Sequence, residues 1–189
     1  CKKIKYMFPK AHAAAYVMMA WRIAYCKIFY PLAYYAAFFS IRASAFSYEI
    51  MCQGRDKLEY YLADYKKRSD TLSKKEQDTL RDMRIVQEMY ARGFTFMPID
   101  IYKAKARECQ IIDGKIMPPL SSVEGLGDKA CEQVEEAAKH GPFTSLENFR
   151  NQAKVSKTNV DKMVELGILT GLPETDQLTF DFFMAQSQV

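Results

Sequence analysis

The segment Val123-Glu124-Gly125-Leu126-Gly127-Asp128-Lys129 runs directly into a helical pattern that reaches about His140. Two glycines around one apolar residue force a tight turn whose backbone stays bare. Such a turn leaves the N–H groups of the following helix start exposed, where the helix dipole also favours negative charge. Without side chains at Gly125 and Gly127, an anion such as a phosphate can approach the backbone closely. Leu126 and Lys129 complete this first candidate anion site.

A second turn follows. His140-Gly141-Pro142-Phe143 redirects the chain, and Thr144-Ser145-Leu146-Glu147 has the pattern of a capping box opening a short helix through Gln152. Lys154-Val155-Ser156-Lys157 then forms another hairpin into a helix over Thr158–Leu166, which Gly167 stops. Lys154, Ser156 and Lys157 are its candidate phosphate contacts. Two hairpins of this kind could grip a nucleic-acid backbone without reading its sequence. Ordinary helical turns are the competing reading.

Upstream, the chain is most apolar between Tyr6 and Phe39, but Arg22, Lys27 and Pro31 interrupt it. The apolar pieces fall short of the roughly 20 residues a membrane span needs. They read instead as a buried helix from Pro9 to about Tyr30 and a second from Pro31 to about Ser40, both helical core. Helices are expected over residues 56–72 and 73–92. The latter opens on a Ser73-Lys74-Lys75-Glu76 capping box and stops at Gly93. Phe94 to Ile99 reads as extended, and Asp113-Gly114 between Ile111-Ile112 and Lys115-Ile116 reads as a β-hairpin turn.

The charge distribution is uneven. Residues 1–60 carry nine basic and three acidic groups, residues 93–172 ten and eleven, and the tail from 173 three acids and no base. The basic first third suits a phosphate partner, whereas the acidic tail should avoid one. The five cysteines are scattered without a Cys-x-x-Cys pair, and His12 and His140 lie far apart, so no metal site is indicated. No acid pair, nucleophile with its base, or glycine-rich nucleotide loop marks a self-contained enzyme.

Residues 93–172, with GLGDKA, GPFTSLENF and VSKTNVDKMVELGIL, resemble the tandem helix-hairpin-helix domain of bacterial replicative polymerases. The run KIKYMFPKAHAAAYVMMAWRIAY resembles the fingers of the PolC-type DNA polymerase III alpha subunit. The short ending after the hairpins favours that type over the related DnaE type. The resemblance implies a mainly α fold: a helical fingers portion (1–92), a tandem helix-hairpin-helix domain with a small β-hairpin (93–172) and a flexible tail (173–189).

It also implies a C-terminal segment of a polymerase whose palm aspartates lie upstream of Cys1. The intact enzyme would use Mg²⁺; no cofactor and no catalytic residue are expected in this segment, which alone would be inactive. Duplex DNA, the incoming dNTP and the bacterial sliding clamp are the implied partners, and the cytoplasm the implied location. Tyr6, Phe8, Lys10, His12 and Tyr16 are candidates for lining the nucleotide and template pocket, with Arg22 and Arg42 weaker ones. In the tail, Gln177, Leu178, Phe180, Phe182 and Phe183 resemble a clamp-binding peptide, with either Phe180 or Phe182 as the deep anchor. A helix-hairpin-helix module of a repair or recombination protein is the alternative, but it leaves the fingers-like run without a role.

Overall fold

The computed structural model describes residues 9–175. Within them, α1 (Lys10–Phe29) and α2 (Pro31–Ile41) meet at Tyr30, with Pro31 in the first helical turn, where its missing N–H costs nothing. The single turn α3 (Tyr48–Met51) precedes α4 (Arg55–Lys67) and α5 (Lys74–Ala91). The capping box of α5 forms as the sequence predicts: Ser73 Oγ accepts from Glu76 N, and Glu76 Oε2 accepts from Ser73 N at 2.8 Å. Gly93, at φ 84°, ends α5 in the left-handed region.

The expected β-hairpin is β1 (Gln110–Ile112) paired antiparallel with β2 (Lys115–Met117). Asp113 and Gly114 both have positive φ, 49° and 73°, the conformation a two-residue turn requires. The extended stretch after Gly93 lies alongside, and Met97 N donates to Ile116 O at 2.9 Å. Three further helices follow: α6 (Asp128–Ala138), α7 (Leu146–Ala153) and α8 (Lys157–Glu165). The fold is therefore mainly helical with one small hairpin.

Two hydrophobic clusters organise it. The first gathers Tyr35, Phe39, Met51, Leu58, Met83, Val86 and Met89 from α2 to α5, together with Phe96 and Ile116. The second gathers Leu120, Val123, Leu126, Cys131, Val134, Phe143, Phe149, Val160 and Met163 from the later helices, together with Tyr48 and Met117. Strand geometry explains the split at β2: consecutive side chains point to opposite faces, so Ile116 enters one cluster and Met117 the other. α3 does the same with Tyr48 and Met51. Full burial of such a side chain contributes about 1.5–3 kcal/mol.

One expectation fails. α1 contains no buried residue, and Trp21, at 74% exposure, Tyr16 and Phe29 face outward. Its apolar residues occupy every side of the helix, so no single face can seat it against α2. Its C-terminal end is tied down: Lys27 Nζ lies 2.8 Å from Glu88 Oε2, and Arg92 Nη2 donates to Lys27 O. α2, by contrast, buries Tyr35, Ala36 and Phe39 as the sequence predicts. No helix among the described residues is long and apolar enough to cross a membrane.

Candidate nucleic-acid interface

The first turn stands open to solvent at the start of α6. Gly125 has φ 88°, where an L side chain would be strained, while Gly127 is extended at φ −67° and forms the N-cap. Between them Leu126 turns inward and is buried. Gly127 has no side chain with which to cap α6. A side chain at Gly127 would meet open space, with nothing within 4 Å of its Cβ position. Gly125, Gly127, Asp128 and Lys129 are all exposed. The residues that open α6 thus lie at the surface, and no side chain caps them.

The second turn has the same backbone. Lys154 takes the left-handed place of Gly125 with φ 52°, Val155 is buried like Leu126, and Ser156 is the N-cap at φ −69°, ψ 155°. Gly127 has φ −67°, ψ 157°. In each hairpin the inward apolar residue is followed at the same spacing by two buried helix residues, Cys131 and Val134 or Val160 and Met163. The ends differ in one respect: Ser156 Oγ accepts from Asn159 N at 3.2 Å, so the second helix caps itself. The helix leading into the first hairpin is reduced to a 3₁₀ turn, Leu120–Ser122, whereas α7 leads into the second.

α7 itself begins differently from expectation. Ser145, not Thr144, is the N-cap, and its buried hydroxyl accepts from Asn148 N at 3.0 Å. Glu147 N instead donates to Glu174 O, and Leu146 N to Pro173 O. The returning chain therefore occupies this helix start, which leaves α6 and α8 as the exposed ones. Phe143 stacks on Tyr102 and meets Phe149 edge-on, which fixes the turn between α6 and α7.

Charge near the hairpins is arranged in pairs. Each carboxylate on α6 has a cation: Asp128 and Glu132 share Arg107 at 3.3 and 2.8 Å, Glu135 meets Lys105 at 3.1 Å, and Glu136 meets Lys139 at 2.6 Å. Glu124, just before the first turn, meets Lys75 of α5 at 3.4 Å. Lys75 and Arg107 escape a sequence reading because their partners are 49 and 25 residues away. Lys129, Lys154 and Lys157 are exposed and appear in no salt bridge among the described residues. Burial pushes the Cys131 thiol up to about 11 and that of Cys109 to about 12, so neither is a ready nucleophile.

The candidates in the first third are only partly placed. Lys10, His12 and Tyr16 lie exposed on the first turns of α1, with the His12 and Tyr16 rings 4.5 Å apart one helical turn from each other. Arg22 and Arg42 line an apolar groove of about 790 Å³ between α1 and α2. Tyr6 and Phe8, and the tail residues Gln177, Leu178, Phe180, Phe182 and Phe183, fall outside the described residues. No group of three or more His, Cys, Asp or Glu side chains among the described residues could hold a metal ion.

Residues 93–177 match the family described as a helix-hairpin-helix motif. Across nearly its whole length, the chain is 44% identical to a protein of Streptococcus pyogenes serotype M5 named DNA polymerase III PolC-type, over 187 residues. Proteins of the same name from Clostridium perfringens and Caldanaerobacter subterraneus are 41% and 40% identical over 179 residues, 95% of the chain. The chain is homologous to a segment of PolC-type DNA polymerase III. It spans only 12–13% of the length of these relatives. The similarity therefore extends past the hairpins through the helical first third, which a borrowed hairpin module would not require.

Proposed function

We propose that this chain holds duplex DNA by its phosphate backbone as one segment of a replicative DNA polymerase. The observation that carries this reading is the exposed, uncapped start of α6 behind Gly127, repeated in backbone form at Ser156. Bare amides at a helix start take a phosphate oxygen without reading bases. Lys129, Lys154 and Lys157 add exposed positive charge beside the two turns. The similarity to PolC-type polymerases supplies the setting. Nucleotidyl transfer would belong to the remainder of the longer polypeptide, through palm aspartates and Mg²⁺, at the chromosome in the cytoplasm.

Two finer roles belong to the same proposal. Tyr6, Phe8, Lys10, His12 and Tyr16 would meet the template or the incoming dNTP, since aromatic faces stack on bases and Lys10 carries a charge suited to phosphate. Gln177, Leu178, Phe180, Phe182 and Phe183 would tether the polymerase to the sliding clamp through apolar anchors.

The test is duplex binding by fluorescence anisotropy with the whole chain. Affinity should fall as salt rises and vary little between duplex sequences. Gly127→Val fills the open space without strain, because Gly127 already has an extended backbone. It should weaken binding roughly tenfold, about the value of one hydrogen bond to a charged group. Unchanged affinity would remove the hairpin from the interface, and strong sequence preference would contradict backbone recognition. Loss of clamp binding on joint replacement of Phe180 and Phe182 tests the tail separately.

A further inference from the structure

The two hairpins share a backbone path but not a charge. Where the second has Ala153 and Lys157 on either side of its turn, the first has Glu124 and Asp128. Two carboxylates beside a phosphate site oppose its occupant, at about 1 kcal/mol for each unit charge a few ångströms away in water. Cations from outside the motif meet both. Lys75, on the first turn of α5, reaches Glu124, and Arg107, in the segment before β1, reaches Asp128 and Glu132.

Stability does not account for these pairs. The side chains of Lys75 and Glu124 are 80% and 63% exposed, and those of Arg107 and Asp128 are 57% and 68% exposed. Exposed pairs contribute little to folding. Their shared property is position: both cations converge on the acids that flank Gly125 and Gly127. They also line the same cleft beside the turn, with Ser121, Ser122 and Glu124.

We propose that Lys75 and Arg107 are positioning residues for the first hairpin, cancelling Glu124 and Asp128 so that a backbone phosphate can settle on the amides of α6. This inference rests on the duplex-binding reading and names what makes one of its two turns electrostatically competent. The first hairpin thereby depends on two elements outside its own motif, whereas the second carries its own lysines.

Duplex binding by the whole chain tests it, with thermal unfolding as the check on folding. Arg107→Gln should weaken binding roughly fivefold, the effect of one uncancelled charge in water. Asp128→Asn placed on that background should restore most of the loss, and Arg107→Lys should retain affinity. Lys75→Gln with Glu124→Gln should behave in the same way. If Arg107→Gln leaves affinity unchanged while Gly127→Val weakens it, the positioning role is wrong and the hairpin reading stands. If Arg107→Gln weakens binding but Asp128→Asn rescues nothing, Arg107 touches DNA directly and the proposal is again overturned. If neither Gly127→Val nor Arg107→Gln changes affinity, the underlying duplex-binding reading falls first.

Discussion

The two hairpins solve one geometric problem with different residues. The first uses glycine at both special positions: Gly125 accepts a left-handed backbone, and Gly127 leaves the helix start bare. The second puts Lys154 into the left-handed region and caps its helix with Ser156. The comparison shows that the motif fixes backbone path and inward apolar contact, while the outward chemistry is open to change. The first turn is bare and acidic until neighbouring elements neutralise it. The second is self-capped and basic from the start.

Equivalent substitutions can break this correspondence. The largest effect should come from the inward side: Met163→Ala should cost about 2–5 kcal/mol in urea denaturation, because a fully buried thioether is lost and a cavity remains. Val134→Ala, at the corresponding place in α6, should cost less, since it removes fewer buried carbons at roughly 0.8 kcal/mol for each methylene equivalent. Equal costs, or a larger one at Val134, would mean that the two helices do not share a packing role.

Next in size are the left-handed positions. Gly125→Ala should destabilise by about 1–2 kcal/mol, because an L side chain at positive φ is strained. Lys154→Gly should have the opposite sign, a gain of up to about 1 kcal/mol as that strain is relieved. A loss at Lys154→Gly would show that its side chain makes a contact worth more than the strain. The smallest effect belongs to the caps. Ser156→Gly should cost only a few tenths of a kcal/mol, and Gly127→Ser should return a similar amount, read as small opposite shifts in Tm. A cost above about 2 kcal/mol at Ser156 would exceed what a helix cap explains.

Features governed by a few adjacent residues were legible in the sequence. The Ser73–Glu76 box, the Gly93 stop, the Asp113-Gly114 turn and the Gly125 turn each follow from short-range sterics or hydrogen bonds. Features that depend on distant neighbours were not. The start of α7 moved to Ser145 because Pro173 and Glu174 return to satisfy the next amides. The second hairpin was legible at Lys154-Val155-Ser156-Lys157, but not that Lys154 would take the left-handed backbone that Gly125 takes in the first, since a lysine does not signal positive φ. α1 is the clearest case. Its apolar composition indicated burial, but composition carries no information about where a partner surface lies.

Strand β2 gives Ile116 to one cluster and Met117 to the other, and α3 repeats the division with Met51 and Tyr48. Neither half can peel away without exposing an anchor belonging to its neighbour. Heating or denaturant should therefore release both halves in a single step. A grip on a double helix would in that case be transmitted stiffly into the first third of the chain, with no swivel between them to absorb it.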